Sequence, residues 1–86
     1  MHHMYRIKLT AQAKKELKNL KVVYQIAIAA AFEDIKENPF ISKPLTRELS
    51  GRFSYKMSVF RIIYTVNESD KTVQVLSVGH RSRVYR

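Results

Sequence analysis

The chain contains no cysteine. That absence removes disulfides, thiolate metal sites and a cysteine nucleophile from consideration, and it fits a reducing cytoplasm. Acid is scarce: seven Asp and Glu stand against 16 Lys and Arg, a formal net charge of +9 over 86 residues. No carboxylate follows Asp70, so the last third lacks the acidic cluster that a two-metal nuclease needs. Long apolar runs are missing as well. The longest, Val22 to Phe32, is interrupted by Gln25 and falls short of the roughly 20 residues a membrane span requires. No signal peptide is evident, and no internal repeat or low-complexity segment breaks the chain. A soluble, cytoplasmic protein is expected.

What is present is positive charge. A chain of this size is one domain, residues 1–86, with a compact core and modest stability. Its charge favours association with polyanions. The excess concentrates late: residues 52–86 carry seven cations against Glu68 and Asp70, a net +5. Lys14, Lys15, Lys18 and Lys21 form an earlier group that reads equally well as a solvated helix face. His2 and His3, adjacent at a terminus, make a weak metal site, and no metal or cofactor is expected.

Tyr5 to Leu9 alternates apolar and basic residues with period two, which predicts a strand with one buried face. Thr10 then offers an N-cap for a helix to about Leu20, with Ala13, Leu17 and Leu20 on one stripe. A second helix is predicted over Val22 to Lys36, with Tyr24, Ile28, Phe32 and Ile35 on one stripe. Val23, Ile26, Ala27 and Ala30 make its other sides apolar too. Either the helix packs closely among its neighbours, or part of this surface is meant for a partner chain. Asn38-Pro39 stops it.

Residues 38–51 hold Pro39, Pro44 and Gly51 without clear periodicity and predict a loop, with room for a helical turn around Leu45 to Leu49. Beyond Arg52 the period becomes two. Phe53, Tyr55 and Met57 alternate with Ser54, Lys56 and Ser58, and a second run covers Val59 to Val66. Asn67 to Asp70 supplies a turn, and Thr72 to Gly79 is a final β-branched strand. The fold class is therefore α+β: an N-terminal strand and a two-helix hairpin packed on one face of a small, twisted antiparallel sheet.

Arg61 lies inside the apolar run Val59 to Tyr64. A guanidinium that stays charged is costly in a half-buried strand unless an anion awaits it. If the last three strands are neighbours, Lys56, Arg61 and Arg81 converge on the helix-free face near one end of the sheet. Such cations bind a phosphodiester and neutralise the charge that grows as a ribose hydroxyl attacks it. His80 has the proton affinity for acid–base work, although a lone histidine at a strand end is equally a structural residue. Like charges around Lys56 disfavour its protonated form and make it a candidate base. Tyr85 either stacks on a nucleobase or pins the C-terminus to the sheet. His80, Arg83 and Arg52 are further candidates for substrate binding.

The stretch Leu49 to Tyr64, followed by Val75 to Arg81 and Val84-Tyr85, resembles the RelE/ParE superfamily of bacterial and archaeal toxins. Tyr5-Arg6-Ile7 and Ala13 to Leu17 resemble that superfamily's opening strand and helix, so the likeness covers nearly the whole chain. The resemblance implies a toxin of a type II toxin-antitoxin system, held inactive by an acidic antitoxin in a hetero-oligomer. In the RelE branch it implies a metal-independent, ribosome-dependent endoribonuclease that cuts mRNA in the decoding site. In the ParE branch it implies an inhibitor of DNA gyrase, and a third outcome is a non-catalytic member that binds only RNA or its antitoxin.

Residue by residue, the resemblance makes Arg61 a phosphate and transition-state stabiliser. It makes Arg81 a stabiliser or proton donor for the leaving group, Tyr85 a stacking or orienting group and Lys56 a general base. The chain departs from the superfamily pattern at Ser58-Val59, where many members read Gly-Asp, and Ser58 stands where a second lysine is common.

Overall fold

A computed structural model describes residues 4–41, 43–44, 51–57 and 59–80. In chain order the elements are β1 (Arg6–Leu9), α1 (Ala11–Lys18), α2 (Val22–Glu37), β2 (Lys43–Pro44), β3 (Phe53–Met57), β4 (Phe60–Asn67) and β5 (Thr72–His80). The expected turn of helix around Leu45 to Leu49 lies outside the described residues.

Local chemistry accounts for the element ends. Thr10 caps α1, its hydroxyl accepting from the Ala13 amide at 3.1 Å. The Gln25 side-chain amide donates to the Leu20 and Lys18 carbonyls at 2.9 and 3.3 Å, which closes α1 and fastens it to α2. α2 ends at Glu37, immediately before Asn38-Pro39. The β4–β5 turn is held by Asn67, whose side chain accepts from the Asp70 amide at 3.0 Å and donates to the Asp70 carboxylate at 3.1 Å. Lys71 leaves the turn with φ 52°, in the left-handed region.

The strand order is β1-β5-β4-β3-β2: four full strands, with the two-residue β2 added at the β3 edge. The expected α+β architecture of two helices on one sheet face is the one found. The sheet is mixed rather than wholly antiparallel. β3, β4 and β5 form the antiparallel meander, but β1 runs parallel to β5, with Arg6 beside Thr72 and Leu9 beside Val75. The reason is connectivity. A tight turn forces its two strands antiparallel, whereas β1 is separated from the meander by both helices.

One apolar layer holds the helices to the sheet. Ala13 of α1 and Ile28, Ala31, Phe32 and Ile35 of α2 pack on Ile62, Tyr64, Val73, Val75 and Val78. Fully burying each of the larger aliphatic side chains contributes about 1.5–3 kcal/mol. The Tyr64 hydroxyl is satisfied inside this layer, donating to the Pro39 carbonyl at 2.6 Å and fixing the exit of α2.

β5 contains a bulge. Ile63 pairs with Ser77 but Tyr64 pairs with Val75, so Leu76 is an extra residue and the alternation of β5 is reset there. Val73, Val75 and Val78 therefore all join the core although their spacing is not strictly two. The helix-free face is left with cross-strand rows that are chiefly polar: Arg6–Thr72–Asn67, Lys8–Gln74–Thr65, Ser77–Ile63–Ser54 and Gly79–Arg61–Lys56.

Candidate active site

The fourth of these rows brings two of the expected site residues together. Lys56 on β3 and Arg61 on β4 are directly opposite each other in a hairpin closed by the Met57–Phe60 pair. Residues opposite in an antiparallel ladder project to the same side with Cβ atoms about 5 Å apart. Arg61 is 9% exposed, and its Nη1 donates to the Phe60 carbonyl at 3.1 Å, whereas Lys56 is exposed. A buried guanidinium thus stands beside an exposed ammonium. On its other side Arg61 pairs with Gly79, which has no side chain to occupy the space above β5. The bulge at Leu76 sets this register, putting Gly79 rather than Val78 next to Arg61.

The other expected residues are placed differently. His80 pairs with Phe60, on the helix side of the sheet. Its ring meets Phe60 edge-on at 6.3 Å, and Phe60 in turn contacts Tyr24 of α2 at 4.8 Å. With Glu16, Leu20, Phe60 and Val78 it lines a cavity of about 530 Å³, on the opposite side from Lys56 and Arg61. Arg52 is exposed and four residues before Lys56, about 13 Å away along an extended chain. Arg81, Arg83 and Tyr85 lie outside the described residues. β5 carries the chain as far as His80, to the end of the sheet where Lys56 and Arg61 sit.

Two supporting interactions were not anticipated from the sequence. The β1 ladder ends opposite Val75, and beyond it α1 and its cap meet the outer edge of β5, with the Thr10 hydroxyl donating to the Leu76 carbonyl at 3.2 Å. Glu16 of α1 covers that edge, one carboxylate oxygen accepting from the Val78 amide and the Ser77 hydroxyl, each at 3.0 Å. The strand that presents Gly79 to Arg61 is thereby fastened to α1 beyond its parallel partner. On β3, the Tyr55 hydroxyl donates to Asp34 of α2 at 3.2 Å. Burial first, then this hydrogen bond and the Asp34 charge, raise the Tyr55 pKa above its ordinary value of 10.0.

The arrangement has the chemistry of an anion site. Lys56 and Arg61 carry positive charge, their row contains no carboxylate, and an arginine fork is suited to two oxygens of one phosphate. Among the described residues, no three of His, Asp and Glu gather in a way that would hold a metal ion.

Comparison with known proteins decides the family. Residues 7–85 match the family described as "ParE toxin of type II toxin-antitoxin system, parDE". The chain belongs to that family. The toxin is 33% identical over 84 residues to Toxin RelG of Mycobacterium tuberculosis, covering 95% of this chain and 97% of the relative. Its fold superposes with a TM-score of 0.85 on one chain of the RelBE2 toxin-antitoxin complex of the same organism, at 33% identity, covering 92% of this chain and 100% of the other. It also superposes on the isolated RelE toxin of E. coli with a TM-score of 0.77, at 27% identity, covering 94% and 90% of the two chains. The toxin is thus a type II toxin-antitoxin protein of the RelE/ParE superfamily, as the sequence resemblance implied. No helix of the described residues is long and apolar enough to cross a membrane.

Proposed function

We propose that the toxin is an endoribonuclease that cleaves mRNA on the ribosome, in the cytoplasm, with cations rather than a metal ion stabilising the reaction. The observation that supports this reading best is the Lys56–Arg61 pair on the helix-free face. Arg61 holds the two free oxygens of the scissile phosphate, and its burial fixes the geometry before substrate arrives. Lys56 is the general base that takes the proton of the ribose 2′-hydroxyl as that oxygen attacks phosphorus. The bond from phosphorus to the 5′-oxygen breaks, and Arg81 neutralises the departing oxygen or supplies its proton. Tyr85 stacks on a neighbouring base, and Arg52 and Arg83 hold flanking phosphates. The products are a 2′,3′-cyclic phosphate and a 5′-hydroxyl. His80, on the helix side of β5, supports the strand end through Phe60 and stands outside the reaction.

The partner that silences the toxin is an acidic antitoxin. Support comes from α2, where Val22, Val23 and Ile26 are 67%, 63% and 66% exposed, an apolar stripe beside the lysines of α1. An amphipathic segment with acidic flanks fits both features. The match to a family bearing the ParE name favours a second reading, inhibition of DNA gyrase on the same fold.

Induction of the wild type and of Arg61→Ala in a bacterial host separates these readings. Growth arrest with new message 5′ ends inside codons, lost in Arg61→Ala, is the expected result. Arrest with intact messages and reduced supercoiling points to gyrase.

A further inference from the structure

α1 carries a second cationic surface, on the opposite side of the sheet from the Lys56–Arg61 pair. Ala13, Leu17 and Leu20 pack on the core, while Lys14, Lys15 and Lys18, with Lys21 at the joint to α2, are exposed. Among the described residues no carboxylate pairs with any of the four. Glu16, the acid of α1, is committed elsewhere and accepts from the Val78 amide, the Ser77 hydroxyl and the Gln12 side chain. The stripe is therefore self-repelling, with Lys14 and Lys18 at i,i+4 and Lys15 and Lys18 at i,i+3, a pattern that destabilises a helix. Lys15 and Lys18 lie in the last turn, where the helix dipole favours a cation, but Lys14 has no such compensation. Lys21 takes the N-cap of α2, a position better suited to Ser, Thr, Asn or Asp, and makes no capping hydrogen bond there. Helix stability is given up for positive charge, as at a surface that meets an anion.

The rest of that surface narrows the choice of anion. The exposed residues of α1 besides the lysines are Ala11 and Gln12, with Asn19 at its end. They offer no aromatic ring on which an unpaired base could stack and no large apolar side chain to anchor a peptide. Backbone phosphate alone suits such a face, as in RNA whose bases are already paired. Position agrees with this. Asn19 and Leu20 share a cavity with Phe60, Gly79 and His80, and Gly79 belongs to the Arg61 row, so α1 ends beside the proposed cleavage site but behind the sheet. We infer that Lys14, Lys15, Lys18 and Lys21 dock the toxin on the phosphate backbone of double-helical RNA, so that one side of the sheet meets the ribosome's own RNA while the other holds the message. This rests on the ribosome-linked reading and deepens it. An antitoxin whose acidic flanks reach α1 competes with that duplex.

The test uses purified full-length chain with a fluorescent, fully paired RNA hairpin and an unpaired oligouridylate, each titrated over a range of salt concentrations. Three double variants are compared with the wild type: Lys14→Gln with Lys18→Gln, Lys56→Gln with Arg61→Gln, and Arg6→Gln with Lys8→Gln as a control of equal charge change on β1. The α1 variant should lose about tenfold in hairpin affinity, with a salt slope lower by roughly 0.9 for each cation removed. Its oligouridylate affinity and the control's hairpin affinity should stay within about twofold of the wild type. Its thermal midpoint should be at or above that of the wild type, because a repelling pair is gone. In a translation mixture it should reach the wild-type cleavage rate, but only at roughly tenfold higher concentration. If the α1 variant loses no more hairpin affinity than the β1 control, while the Lys56/Arg61 variant no longer cuts message, the docking surface is refuted and the proposed function stands. If the wild type cuts no message on ribosomes, the ribosome-linked reading falls and takes the docking surface with it. If the α1 variant keeps its hairpin affinity but loses affinity for polyglutamate, these lysines serve an acidic protein and the inference is overturned.

Discussion

Lys56 and Arg61 occupy directly opposite positions in the β3–β4 hairpin, one exposed and one 9% exposed. Their difference in burial separates their roles. Arg61→Lys keeps the charge but loses the planar fork that grips two phosphate oxygens. Cleavage should fall roughly 10²–10³-fold, the cost of removing one preorganised donor from an oxyanion site, with the thermal midpoint little changed. Single-turnover cleavage beside a melting curve checks this, and near wild-type activity in Arg61→Lys would mean that charge alone matters.

The Glu16 contact to β5 should be structural. Glu16→Ala leaves the Val78 amide and the Ser77 hydroxyl without their acceptor and should cost about 1–3 kcal/mol in urea unfolding. Glu16→Gln retains a carbonyl oxygen and should recover more than half of that loss. Equal losses in the two variants would show that charge, not the hydrogen bonds, holds the strand.

Tyr55 gives the toxin an alkaline dependence of known sign. Its pKa is raised in the folded chain, so the native state holds the phenolic proton more tightly than the unfolded chain. That contribution is intact below the unfolded value of about 10 and is lost as pH rises through the raised value. In Tyr55→Phe the decline of stability between about pH 9 and about pH 11 should be shallower than in the wild type, measured as urea midpoints. An unchanged decline would remove Tyr55 from the account.

The apolar stripe of α2 supplies a partner test that leaves the core untouched. Ile26 is 66% exposed, so Ile26→Asp should leave unfolding within about 0.5 kcal/mol of wild type. Antitoxin affinity, read by calorimetry with the partner encoded beside the toxin, should drop at least about tenfold. Unchanged affinity would move the partner's apolar contacts off α2.

The face assignments were legible where periodicity was simple. Tyr5 to Leu9 showed its buried side by alternation, Thr10 announced α1, and Asn38-Pro39 announced the end of α2. Lys56 and Arg61 shared a face because a short hairpin leaves little choice of register. Three features were not legible. Alternation says which side of β1 is buried but not which strand lies beside it, so the parallel pairing with β5 was missed. The Leu76 bulge carries no local sign in a run of β-branched residues, yet it decides that Gly79 joins the Arg61 row and that His80 lies on the helix side. Glu16 looked like any carboxylate on an amphipathic helix, and its role appears only once β1 is seen to end at Leu9.

The most direct test of the central claim is cleavage of a defined message in a reconstituted translation mixture, with analysis of the new RNA ends. The toxin should generate 2′,3′-cyclic phosphate and 5′-hydroxyl termini, and Lys56→Ala and Arg61→Ala should each abolish them while remaining folded. Termini bearing 5′-phosphate, or cleavage that survives loss of Arg61, would contradict a site in which these two opposed cations carry the reaction.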